Sequence, residues 1–132
     1  MAKNDYFYGL GRRKSAVARV RLTAGKGVVT INNKSVKEYF SGNETLEYRL
    51  MEPLRLIQKT DSFDLSFRII GGGTSSQVDA CTLATSKALS AMNEDLRSTL
   101  KKHGLLKRDP REKERKKPGL RSARRKEQFS KR

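Results

Sequence analysis

The sequence has one cysteine, one histidine and few acids, and each scarcity excludes something. A single thiol, Cys81, cannot build an internal disulfide framework, which points to a reducing, cytosolic compartment. The single histidine, His103, has no second ligand candidate nearby and reads as a helix-end residue. Paired carboxylates on a recognisable catalytic motif are also missing. The expectation is therefore no catalytic residue, no metal and no cofactor. No stretch is long and apolar enough for a transmembrane span. Residues 1–16 lack the apolar centre of a signal peptide.

What is abundant is positive charge. Lys and Arg number 30 against 14 Asp and Glu, a net +16 in 132 residues. Such an excess implies an acidic partner: nucleic acid, an anionic membrane or an acidic protein. It is unevenly spread, because the last 32 residues hold 15 cations and four acids, or +11 of the +16. A segment that repels itself and carries so few apolar residues cannot pack a core, and it needs a dense polyanion beside it to become ordered. The chain accordingly divides into a globular part, residues 1–106, and a basic C-terminal tail, residues 107–132. At about 3.3 Å per residue, 114–132 reaches roughly 60 Å when extended.

Along the globular part, residues 5–8 have strand character. Gly9-Leu-Gly11-Arg-Arg-Lys14 reads as a turn or bulge that brings backbone close to something and carries three cations; the alternative is a hairpin turn with incidental charge. Residues 15–23 alternate, with Ala16, Ala18, Val20 and Leu22 on one face and Val17, Arg19 and Arg21 on the other, so this is a half-buried strand with a basic outer face. Gly25-Lys-Gly27 then turns the chain, and 28–31 is the return strand of a β-hairpin that Asn32-Asn33 ends. Ser35 and Glu38 form a capping box for a short helix to Phe40. Asn43 caps the next helix, which Pro53 interrupts. Residues 63–70 are the clearest strand, with Phe63, Leu65, Phe67 and Ile69 inward and Asp64, Ser66 and Arg68 outward.

Gly71-Gly72-Gly73 and the hydroxyls that follow open a helix over 76–92. This is either a plain strand-to-helix connection or an anion site at a helix N-terminus. It matches neither a P-loop nor a dinucleotide fingerprint. Val78, Cys81, Ala84 or Thr85, Ala88, Leu89 and Met92 form one small-residue stripe, so Cys81 is a buried structural thiol. Asn93 caps a last helix, 94–102, which Gly104 closes. Residues 111–117 suit a helical turn or two against a partner, Pro118-Gly119 breaks it, and irregular extended chain follows from Leu120. A membrane-surface helix is a poor reading of 116–132, which contains Pro118 and Gly119 and offers only Leu120, Ala123 and Phe129 as apolar residues.

Two long strings carry a family resemblance. Glu114-Arg-Lys-Lys-Pro-Gly-Leu-Arg-Ser-Ala-Arg-Arg-Lys-Glu-Gln-Phe-Ser-Lys-Arg132 resembles the C-terminal signature of small-subunit ribosomal protein nine of the bacterial type. Gly11-Arg-Arg-Lys-Ser-Ala-Val-Ala-Arg-Val-Arg21 matches the other end of that pattern. Gly71-Gly-Gly73, Gln77 and Arg108-Asp-Pro-Arg111 also fall where the family has them. The resemblance covers the whole chain. It implies an α+β two-layer sandwich similar to domain two of ribosomal protein five. That fold has a four-stranded sheet with helices on one face and a left-handed βαβ crossover, followed by a long extended basic tail.

It further implies a structural constituent of the small-subunit head, bound to the 3′ major domain of the small-subunit rRNA beside other head proteins and away from membranes. The tail is implied to end at the anticodon stem-loop of the peptidyl-site tRNA. The residues expected on rRNA are Arg12, Arg13, Lys14, Arg19, Arg21, Gly71, Gly72 and Gly73 in the body. In the tail they are Arg108, Arg111, Arg115, Lys116, Lys117, Arg121, Arg124, Arg125 and Lys126. Those carried over to tRNA are Ser130, Lys131 and Arg132. Arginine suits phosphate because it offers two parallel donors or stacks on a base, whereas lysine acts as a mobile point charge. Phe129 is placed to stack on an exposed base or fill a gap. Glu127 departs from the family pattern and is unfavourable near phosphates unless Arg124 or Lys131 pairs with it. A non-ribosomal RNA-binding protein or RNA chaperone has the same composition; the two terminal strings separate these readings.

Overall fold

The computed structural model describes residues 6–112 and 114–125. A single five-stranded sheet forms one layer, in the order β1-β2-β5-β3-β4. The strands are β1 (Phe7–Arg13), β2 (Ala16–Ala24), β3 (Val29–Ile31), β4 (Lys34–Ser35) and β5 (Phe63–Ile70). The helices are α1 (Val36–Tyr39), α2 (Glu44–Leu50), α3 (Glu52–Leu56), α4 (Thr74–Met92) and α5 (Asp95–Lys102). They cover one face of the sheet, giving the expected α+β architecture. The expected four-stranded sheet is widened by the two-residue edge strand β4.

Alternation decides which way each central strand faces. In β2 the buried residues are Ala16, Ala18, Val20 and Leu22; in β5 they are Leu65, Phe67 and Ile69. These line the core with Leu50, Leu54, Val78, Cys81, Leu89 and Leu100. Helix α4 runs through the middle of the helical layer, touching β1 and β2 on one side and α2 and α5 on the other. That position explains why its buried arc is wider than a stripe and includes Ala80, Leu83 and Ser86. The buried hydroxyls of Thr85 and Ser86 donate to the carbonyls of Cys81 (2.9 Å) and Thr82 (2.8 Å), so neither is left unpaired. Cys81 is fully buried, as its place in the stripe requires, and burial pushes its thiol pKa up.

Two expectations are corrected. The hairpin is not 15–31: β2 pairs antiparallel with β1 and with β5, and β3 runs parallel to β5 on the other side. Asp64 supplies the physical reason. Its Oδ1 accepts from the backbone N–H groups of Lys26 (3.0 Å), Gly27 (3.1 Å) and Val28 (2.9 Å), holding the loop after β2 against β5, which separates the two strands. A parallel β3–β5 pair requires a long connection, and α1, α2 and α3 provide it.

Nor is Gly9–Lys14 a bulge, since Gly9 and Gly11 lie inside β1 and face α4. A Cβ on Gly9 would sit 1.9 Å from the Ala84 carbonyl oxygen, and one on Gly11 the same distance from that of Ala80. The backbone does come close to something, and that something is α4. The turn itself is Lys14-Ser15, with Lys14 at φ +51°.

Two of the three expected caps form. Ser35 Oγ accepts from the Glu38 N–H (3.3 Å) and Asn43 Oδ1 from the Leu46 N–H (3.3 Å). Pro53 sits in the first turn of α3, where its missing N–H costs nothing. The cap of α5 differs: the helix starts from Glu94, which makes no side-chain capping bond, and Asn93, one position earlier, accepts from the Asp95 N–H (3.0 Å) through its Oδ1. Past Gly104, Leu105 and Leu106 pack against the core, and no helix forms among the described residues beyond Lys102. The helical turn expected over 111–117 is thus absent from the described part of that stretch.

Candidate nucleic-acid interface

The helices cover one face of the sheet, and among the described residues the other face is open. Strand register places its side chains in rows. One row is Arg12, Val17 and Ile70; the next is Leu10, Arg19 and Arg68; the third is Tyr8, Arg21 and Ser66. The four arginines are exposed. Arg21 lies over the Tyr6 ring at 5.0 Å, a cation–π contact that orients it. Arg19 and Arg21 thus occupy the basic outer face read from the alternation, and Arg12, expected in a turn or bulge, joins them from β1. Sequence reasoning left Arg68 out of the binding set, although its outward position in the 63–70 alternation was the available signal.

At one edge of the sheet the tail begins, and here Arg13 has an unexpected role. Its side chain is only 14% exposed and pairs with Asp79 of α4 (3.5 Å) and Asp109 of the tail (3.0 Å). It also donates to the Arg111 carbonyl (3.2 Å). Arg49 of α2 closes the cluster through Asp79. Arg111 grips Asp109 from the other side at 2.7 Å and, with its backbone N–H, holds that carboxyl well below its ordinary pKa. The same ion pair raises the pKa of Arg111. Arg13 and Asp109 therefore fasten the root of the tail to the body, while Arg12 and Lys14 beside them point to solvent. Further out, Arg108 pairs weakly with Glu112 at 3.8 Å.

The three glycines after β5 are explained mainly by local geometry. Gly71 and Gly72 have φ of +74° and +72°, a region other residues rarely adopt. A Cβ on Gly72 would meet Ala16 Cβ at 2.7 Å. Gln77 Nε2 donates to the Gly71 carbonyl (3.0 Å) while its Oε1 accepts from the Tyr39 hydroxyl (3.0 Å), which fastens the loop to α1. Gly73 is the N-cap of α4 and, having no side chain, makes no capping bond. The hydroxyl caps expected there are not formed.

In the tail, Lys117 and Arg124 pair with Glu114 at 2.7 and 2.8 Å. Leu120 N–H donates to the Lys117 carbonyl (3.2 Å), closing a turn around Pro118-Gly119. Arg115, Lys116, Arg121 and Arg125 are exposed. Lys126, Glu127, Phe129, Ser130, Lys131 and Arg132 lie outside the described residues. The candidate interface therefore has two described parts, the open sheet face and the tail from its root at Asp109, and the β1–β2 turn brings them together.

Among the described residues, no group of His, Cys, Asp or Glu is arranged to hold a metal ion, and no helix is long and apolar enough to cross a membrane. A family model described as ribosomal protein S9/S16 matches residues 11–132.

Proposed function

The chain belongs to the ribosomal protein S9/S16 family, and from that premise we propose that it is a structural constituent of the small ribosomal subunit in the cytoplasm, bound in the subunit head to the 3′ major domain of the rRNA. The observation that carries this reading is the anchoring of the tail root by Arg13 and Asp109 (3.0 Å). A strongly basic segment leaves the body at a fixed point, next to the exposed Arg12 and Lys14. Folded rRNA crowds phosphates together, and cations on a narrow chain neutralise them where a globular domain does not fit. On this reading 1–106 is the docking body and 107–132 is the penetrating tail. Arg12, Lys14, Arg19 and Arg21 contact phosphates from the body. Arg115, Lys116, Arg121 and Arg125 do so from the tail, and the ion pairs of Lys117 and Arg124 with Glu114 exchange for phosphate. Arg13 and Arg111 position the tail, and the backbone of Gly71, Gly72 and Gly73 lies against rRNA at the start of α4.

Ser130, Lys131 and Arg132 form the distal end, which reaches the anticodon stem-loop of the peptidyl-site tRNA. Contacts there are to phosphate and not to bases, because every tRNA passes through the site. The test has two arms. The purified chain is expected to prefer 3′ major-domain rRNA over an unrelated structured RNA of equal length, and equal affinity for both would overturn the rRNA assignment. Ribosomes whose copy of this protein lacks residues 130–132 are expected to hold peptidyl-site tRNA less tightly while the protein's melting temperature is unchanged. Native tRNA affinity in those ribosomes would overturn the tRNA assignment alone.

A further inference from the structure

The register of the open sheet face contains a cost that the fold does not need. Arg19 of β2 and Arg68 of β5 are directly paired residues, and like charges directly opposite each other on one face destabilise a sheet. Among the described residues neither has an acidic partner. The nearest carboxylate on this face, Asp64, is engaged by the N–H groups of Lys26, Gly27 and Val28. Arg21 sits one row away and Arg12 one row further in the other direction. Beside these cations lies a large exposed ring: Tyr8 is 50% exposed and is diagonal to Arg19 across the β1–β2 ladder, a separation of about 7–8 Å. Tyr8, Arg19, Arg21, Asn33, Ser66 and Arg68 line a depression of about 380 Å³. That is within the roughly 300–1,000 Å³ of small-ligand sites.

We propose that this depression holds an unpaired nucleotide of RNA, with its phosphate between Arg19 and Arg68 and its base stacked on Tyr8. The proposal rests on the RNA-binding reading above and adds a second, stacking site on the sheet face, whose lining includes no described residue of the tail. Charge complementarity selects the occupant, since a lining with three exposed arginines and no acid suits a phosphodiester. The ring selects its form. Unpaired bases stack on aromatic side chains, whereas the bases of an A-form duplex are already stacked on one another. Ser66 and Asn33 offer a hydroxyl and an amide to the sugar or base edge.

The chain has no tryptophan, so Tyr8→Trp in the full-length protein places a single fluorescent reporter in the site. Its emission is expected to be quenched on adding either an unstructured RNA oligonucleotide or 3′ major-domain rRNA. Arg68→Ala is expected to lower the salt slope of rRNA binding by about one unit. Tyr8→Ala is expected to weaken binding about tenfold, within the range of one base stacked on an aromatic ring. Lys101→Ala, on α5 and away from the site, controls for loss of one charge and is expected to have the smaller effect. Absence of quenching, or equal effects of Arg68→Ala and Lys101→Ala, would overturn the proposal while the native chain still prefers 3′ major-domain rRNA. Quenching by an acidic peptide but not by RNA would overturn it in favour of a protein partner. Loss of the native chain's preference would instead overturn the ribosomal reading itself.

Discussion

Asp64 shows how one side chain sets a topology. Three consecutive backbone N–H groups converge on one of its oxygens. The bond from Val28 is the largest cause of a pKa lowered from the ordinary 3.8, and the Lys26 and Gly27 bonds and the Lys26 charge act in the same direction. A carboxyl lowered in the folded state adds stability that is complete above its unfolded pKa and is lost as pH falls through the folded value. Asp64→Asn keeps an acceptor oxygen but removes the charge, so its melting temperature is expected to lie below that of the native chain at pH 7. The gap should close as pH falls below about 3.8. Thermal melts of both proteins from pH 7 to pH 2 check this, and a gap that does not change with pH would mean that the charge does not hold the loop. In the sequence Asp64 was legible only as one outward residue of an alternating strand. Nothing local reveals that three N–H groups from 36 to 38 positions earlier meet it.

At the scale of elements, the legible parts were those specified by neighbours in sequence. The β2 and β5 alternations and the Ser35 and Asn43 caps needed only periodicity or spacing three. The pairing of β3 with β5 was not legible, because a turn-like Gly25-Lys-Gly27 between two apolar runs is the ordinary sign of a hairpin. In sequence Gly9 and Gly11 suggest freedom for a turn or bulge, whereas the requirement they meet is the close approach of α4. A strand pressed this close against a helix backbone has no room for Cβ. Gly11→Val must push the side chain into the Ala80 carbonyl, and a loss of ~3 kcal/mol or more is expected. Gly73, by contrast, has extended backbone (φ −85°, ψ 171°) and nothing within 4 Å of a Cβ. Gly73→Ser is expected to stay within about 0.5 kcal/mol of native stability. Urea unfolding of the two variants compares them, and similar losses at both positions would contradict the packing account.

For the whole molecule, the proposed function turns on a separation of roles between body and tail. The charge asymmetry was readable from composition, and the two terminal strings carried the family. What composition did not reveal is that a cation can serve the fold. Arg13 stands among exposed arginines in sequence, yet it is half-buried, pairs with Asp79 and Asp109 and holds the tail root. Arg68 is the converse, a plain outward residue in sequence and part of a continuous basic face once β5 lies beside β2. The central claim is that the tail supplies most of the electrostatic contact with rRNA. Its most direct test is the salt dependence of binding to the isolated 3′ major-domain rRNA, comparing the full chain with a form ending at Leu106, the last residue packed on the core. Each phosphate neutralised contributes roughly 0.7–0.9 to the log–log slope. The full chain is expected to bind with a steep slope, and the truncated form should lose several units of it while remaining folded. Equal slopes would place the contacts on the body alone and contradict the assigned role of the tail.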